Sequence, residues 1–142
     1  MNTNYKKNFV PYKQALALKK LGFDEICLAW YNSKGQLLAE ITIGYEQTDF
    51  FYTQDDMEEN QCIAPTFFQA FRWFRQKHNI DAWVQPFVSE KQNGKPFLPD
   101  ESYAYYIFED GVYVADGVNF LDSEEAELEC LKKLIEIVKK QL

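Results

Sequence analysis

Ala64-Pro-Thr-Phe-Phe-Gln-Ala-Phe-Arg-Trp-Phe-Arg-Gln-Lys-His78 is the stretch from which the rest of the fold is read. At about 100° of rotation per residue, Phe67, Phe71, Phe74 and His78 share one narrow sector, with Ala70 at its edge. A stripe of that kind faces a core. Phe68 lies on one flank and Trp73 on the other, while Gln69, Arg72 and Gln76 form the polar face. Each fully buried Phe contributes about 1.5–3 kcal/mol, so this helix supplies several anchors at once. Pro65 opens it, as its first helical residue or just ahead of it, and Asn79 ends it.

Upstream of the helix, Thr53 to Asn60 is polar and brings Asp55, Asp56, Glu58 and Glu59 close together. Four carboxylates suit a metal or a basic partner, but they lack the alternating ligands and turn glycine of a calcium loop. A solvated loop is the plainer reading. Before it, Phe50 to Tyr52 reads as a short strand, and Glu25 to Tyr31 as a longer one with Ile26, Leu28 and Trp30 on one face and Cys27, Ala29 and Tyr31 on the other. Both faces are apolar, which places that strand centrally. Asn32-Ser-Lys-Gly35 turns it into a returning strand, Leu37 to Tyr45. Nearer the start, Pro11 sets a helix over Tyr12 to Leu21. Gly22 stops it in a Schellman ending that packs Phe23 on Leu18.

Downstream, Asp81 to Val88 reads as a strand, at an edge or a bulge because Pro86 cannot donate to a ladder. Residues 89–102, with Asn93-Gly94, Pro96 and Pro99, read as a long loop. Tyr103 to Phe108 is strongly β-like, Asp110-Gly111 is a hairpin turn into Val112 to Val114, and Asp116-Gly117 offers a second turn before Val118 to Leu121. Asp122-Ser-Glu-Glu125 is a capping-box variant opening a helix towards Leu142. That helix carries Leu128, Leu131, Leu134, Ile135, Val138 and Leu142 on one side, with Cys130 and Ile137 widening the arc. Glu129–Lys133 and Glu136–Lys140 are favourable pairs on the other. Ile137 is the residue expected to stay exposed and to mark a homodimer contact.

A chain of 142 residues fits one domain, 1–142. With 46% hydrophobic and 17% aromatic residues it encodes a bulky core rather than disorder. The expected fold is α+β: an antiparallel sheet of four or five strands with three helices, in the order α-β-β-α-β-β-(β)-α. A formal charge of −7 opposes a nucleic-acid backbone and favours acidic interaction surfaces. No segment approaches a membrane span and no signal-like apolar run follows the start, so the protein reads as cytosolic with no membrane partner. Cys27, Cys62 and Cys130 are odd in number and far apart, which encodes neither a disulfide framework nor a zinc knuckle.

Three blocks carry a resemblance: Ala-Leu-Ala-Leu-Lys-Lys-Leu-Gly-Phe-Asp-Glu from Ala15 to Glu25, Phe-Gln-Ala-Phe-Arg-Trp-Phe-Arg-Gln-Lys-His from Phe68 to His78, and Ser-Glu-Glu-Ala-Glu-Leu-Glu-Cys-Leu-Lys-Lys-Leu-Ile-Glu-Ile from Ser123 to Ile137. Together they are similar to short phage, prophage and mobile-element proteins of Bacteroidetes that have no assigned activity. The resemblance implies an origin. It implies no cofactor, catalytic residue or binding residue.

The residues themselves offer little chemistry. His78 is the single histidine and suits the carbonyls at a helix end. Cys62 sits before the same helix, where its pKa could fall, but more than three helical turns separate it from His78. No phosphate-cradling glycine loop occurs. Neither a cofactor nor a metal is called for. Arg72, Trp73 and Gln76 border the exposed side of the central helix and are the partner-binding candidates, since Trp and Arg dominate interface energetics, while the plainer reading has Trp73 fill the space under the 53–60 loop and Arg72 serve as surface charge. The functional expectation is a non-catalytic accessory protein of a mobile element that acts by protein–protein contact. The alternative is a small-molecule or weakly enzymatic domain with an aromatic pocket.

Overall fold

The structure is a computed structural model that describes residues 3–39, 51–87 and 102–142. Its element order is α1 (Tyr12–Lys20), β1 (Trp30–Tyr31), β2 (Leu37–Leu38), β3 (Cys62–Ile63), α2 (Phe67–His78), β4 (Ile80–Pro86), β5 (Tyr103–Glu109), β6 (Val112–Phe120) and α3 (Ser123–Gln141), with short 3-10 turns at Thr3–Asn8 and Gln54–Asp56. The architecture is α+β. Among the described residues three α-helices accompany two three-stranded antiparallel sheets, β2-β1-β3 and β4-β5-β6. The chain clusters into two compact units, Met1–Ala70 and Phe71–Leu142.

In the first unit, α1 ends as its sequence dictates. Gly22 takes a φ of 97°, the Phe23 N–H donates to the Leu18 carbonyl at 3.0 Å, and the Gly22 N–H donates to Lys19 at 3.1 Å. These are the two bonds of a Schellman motif, and Leu18 and Phe23 are both buried. Asn32 Oδ1 accepts from the Lys34 and Gln36 N–H groups, and Gly35 at φ 76° completes the turn into β2. β1 is central, between β2 and β3. The strand expected over Glu25–Tyr31 shortens to Trp30–Tyr31 plus an isolated bridge at Cys27; along the stretch Cys27, Ala29 and Tyr31 are buried, but Ile26 and Leu28 on the other side are 57% and 60% exposed. Apolar residues on both faces therefore did not mean burial of both faces.

Two further expectations change here. The single sheet of four or five strands is replaced by two smaller sheets, because both edges of β1 are taken from within its own unit, by Leu37–Leu38 and by Cys62–Ile63. β3 is only two residues long and follows an acidic loop, so it has no period to read. Of the short strand expected at Phe50–Tyr52, Phe50 lies outside the described residues and Tyr52 forms one isolated bridge, to Cys27. The outer part of the expected strand Leu37 to Tyr45, and most of the 89–102 loop, lie outside the described residues.

α2 begins two residues after Pro65. Thr66 caps it, its Oγ1 accepting from the Gln69 N–H at 3.1 Å. It stops at Asn79, whose φ of 55° is left-handed. The buried arc is Phe67, Ala70, Trp73 and Phe74, while Phe71 is only half-buried and Phe68 is 72% exposed. The core-facing stripe is thus rotated away from Phe71 towards Ala70 and Trp73.

In the second unit β4, β5 and β6 form a meander. Pro86 sits on the edge strand, as a residue without an N–H must. Asp110 and Gly111, at φ 52° and 79°, make the β5–β6 turn, a pair of positive φ values characteristic of type I′. Asp116-Gly117 is not a turn: β6 runs unbroken from Val112 to Phe120, and Gly117 lies opposite Tyr105. The glycine is there for space, since a Cβ at Gly117 would lie 2.8 Å from Tyr105 Cζ and closer still to Cε2.

α3 opens on the expected cap. Asp122 Oδ1 accepts from the Glu125 N–H at 2.7 Å, while Glu125 Oε2 accepts from the Leu121 N–H, one residue earlier than a capping box requires. The helix packs on β4, β5 and β6. Its buried side is Ala126, Cys130, Leu131, Leu134, Ile135 and Val138. Leu142 is 83% exposed, outside that side, and Ile137 is half-buried rather than exposed. Glu129 pairs with Lys132 instead of Lys133, which turns to Glu136 together with Lys140. No helix among the described residues is long and apolar enough to cross a membrane.

Candidate functional site

The sheet of the second unit has two unlike faces, which follow from the period of two along each strand. Ile80, Tyr105 and Ile107 are buried, and the helix α3 with its apolar side lies against this sheet. The residues of opposite parity form two rows across the strands. Asp81, Phe108 and Tyr113 are aligned in one, and Trp83, Tyr106 and Asp116 in the next. A register shift between Ile107 and Phe108 brings Tyr113 and Asp116 to the same face.

The rings in those rows touch. Trp83 stacks on Phe108 with centroids 5.3 Å apart and planes at 9°, lies 5.9 Å from Tyr106, and Phe108 meets Tyr113 edge-on at 5.9 Å. Rings in such offset and T-shaped geometry contribute about 0.5–1.5 kcal/mol per pair beyond their burial. They remain accessible all the same: Trp83 is 42% and Tyr113 54% exposed. The Trp83 indole N–H donates to Gln85 Oε1 at 3.1 Å, fixing the ring along its strand.

Carboxylates stand at two opposite corners of this patch. At the β4 corner Asp81 is bridged by Arg75 Nε at 3.1 Å. At the β6 corner the Asp116 carboxylate stands on the same face as Tyr113 and holds that phenol's pKa above its ordinary value. Among the described residues no lysine or arginine bridges Asp116.

The residues singled out from sequence fall elsewhere. Arg72 and Gln76 are exposed on α2, whereas Trp73 is 2% exposed, packed edge-on against Phe74 and His78 with centroids 5.0 Å away in each case. The three do not form one outward surface. Asp55, Asp56, Glu58 and Glu59 are exposed, and their loop is tied down from α1: Lys19 Nζ donates to the carbonyls of Glu58 at 2.8 Å and Gln61 at 2.7 Å. The loop's polar contacts are thus mainly backbone ones. Among the described residues no three His, Cys, Asp or Glu side chains converge as metal ligands.

Burial also decides the nucleophiles. It pushes the Cys27 and Cys130 thiols up to about 12 and Cys62 up to about 11, with Lys19 opposing the shift at Cys62. Cys62 is thus raised by burial rather than lowered. His78 is lowered by burial and by Lys77, with Glu109 opposing, which favours the neutral ring. In the first unit a depression of about 630 Å³ is lined by Lys6, Tyr31, Gly35, Gln36, Leu37 and Leu38. The Tyr31 hydroxyl there already donates to the Val10 carbonyl at 2.7 Å.

The aromatic face had a sequence signal that went unread. Asp81-Ala-Trp-Val-Gln85 alternates polar or aromatic with small apolar residues, and Tyr106 and Phe108 continue the same parity on the next strand. Large aromatics alternating with residues that pack under a helix mark two loaded faces, of which one helix can cover only one. No protein-family model, curated protein or solved structure matches the chain.

Proposed function

We propose that this chain is a non-catalytic accessory protein that works by contact with another protein, and that the open aromatic face of the β4-β5-β6 sheet is its contact surface. One observation carries the reading: four touching rings, Trp83, Tyr106, Phe108 and Tyr113, on the sheet face opposite the residues buried with α3. Contiguous exposed apolar surface marks interaction sites, and Trp and Tyr are the side chains that anchor them. The thiols, buried and raised to about 11 or 12, support a binding role over covalent catalysis at neutral pH. An accessory role in a mobile element, which the resemblance of the three sequence blocks suggests, fits a small acidic binding module.

The test compares wild type with a Trp83→Ala/Tyr113→Ala double variant and with Arg72→Ala/Gln76→Ala, each checked for native circular dichroism. The expected result is a partner retained from an extract of the encoding organism by wild type and by the helix variant, and lost by the folded sheet variant. Loss with the helix variant alone would return the function to α2. A second reading, small-molecule binding, rests on the depression beside Lys6 and Tyr31, whose volume lies within the ~300–1,000 Å³ range of ligand pockets.

A further inference from the structure

Resting on the reading of the aromatic face as a contact surface, we infer that its partner presents a basic segment, and that an arginine or lysine side chain of that segment seats over Tyr113 against Asp116. The patch itself shows half of this arrangement. Its β4 corner, Asp81 opposite Phe108, is closed by the chain's own Arg75. Its β6 corner has the same composition, a carboxylate beside a ring: Asp116 and Tyr113 share the face, and Tyr113 is packed edge-on to Phe108. What differs, among the described residues, is the cation.

The chemistry of the corner selects the occupant. A ring face attracts a guanidinium or ammonium through its quadrupole, and a carboxylate alongside adds a charge-assisted hydrogen bond. Tyr113 is 54% exposed, so the ring is available to such a group. Among the described residues the aromatic rows carry the carboxylates of Asp81 and Asp116, and Arg75 is already engaged with Asp81. A nucleic-acid strand, which would use the same rings for stacking, meets the wrong charge here, in a chain of net −7. An extended basic segment meets the right one.

The experiment uses the full chain and two fluorescein-labelled decapeptides of alternating arginine and serine, one with every arginine replaced by neutral, isosteric citrulline. Anisotropy titrations are run on wild type, Trp83→Ala, Asp116→Asn and Glu124→Gln, the last removing one exposed carboxylate from α3 as a control for net charge. The expected result is binding of the arginine peptide that weakens with added salt, weakens about tenfold in Asp116→Asn and in Trp83→Ala, and is unchanged in Glu124→Gln, with the citrulline peptide at least about tenfold weaker. Equal affinity of Asp116→Asn and Glu124→Gln would reduce the binding to net charge and overturn the inference. If no peptide binds while a protein partner is still captured in a Trp83-dependent way, the basic segment is wrong and the contact surface stands. If sedimentation shows a dimer that Trp83→Ala dissociates, the occupant is a second copy of the chain and the inference falls.

Discussion

Gly117 has no side chain because the Tyr105 ring occupies the place one would take. Tyr105 is itself 7% exposed and stacked on Phe120 at 5.7 Å, so it has no free direction in which to retreat. Gly117→Ala is expected to destabilise the protein by about 1–3 kcal/mol, the usual cost of overpacking, and Tyr105→Leu in the same chain to recover part of that loss; urea unfolding measures both. His78 makes the other residue-scale prediction. Its pKa is lowered in the folded state by burial first and Lys77 second, so between that value and the unfolded value near 6.5 the unfolded chain binds the extra proton. Stability therefore falls as the pH drops below about 6.5. The difference in denaturation midpoint between pH 7.5 and pH 6 should shrink in His78→Phe, which keeps a ring against Trp73 and Phe74 but cannot titrate.

Elements whose ends are set by local chemistry should respond to the loss of one group. Asp122→Ala removes the acceptor of the Glu125 N–H and is expected to cost about 1 kcal/mol. Thr66→Ala, at the start of α2, should cost a similar amount for the same reason. Urea midpoints of both variants, set against Ser33→Ala in the β1–β2 turn as an exposed control, check this. These ends were readable beforehand: Gly22, Asn79, Asp110-Gly111 and Asp122 each stand where the backbone needs a positive φ or a cap. What could not be read was pairing. Cys62–Ile63 is too short to show a period, and its partnership with β1 is a long-range choice that no local propensity encodes. The Asp116-Gly117 dipeptide misled because its turn chemistry is identical to that of Asp110-Gly111; only the ring across the strand distinguishes them. The rotation of the α2 stripe has a similar origin. Six aromatic or apolar side chains on one helix leave more than one arc that could face inward, and tertiary packing chose the one through Ala70.

Over the whole molecule, the apolar residues that stay outside are as informative as those within. The candidate site escaped sequence reading because a wet aromatic face and a buried one have the same alternation, and only the position of α3 separates them. Arg72 and Gln76 lie outside and Trp73 inside, since a flank of a helix becomes core once the stripe rotates. The placement of the cysteines has a use of its own. Cys27 and Cys62 belong to the unit Met1–Ala70 and Cys130 to Phe71–Leu142, and all three are buried free thiols. A thiol-specific label in the native state is expected to find none of them on the timescale in which it modifies the denatured chain completely. In mild denaturant Cys27 and Cys62 should label in step, and Cys130 at a rate of its own, followed by mass spectrometry of the separated peptides. The protein thereby carries a built-in clock for each half, able to time when either one opens without any probe being engineered into it.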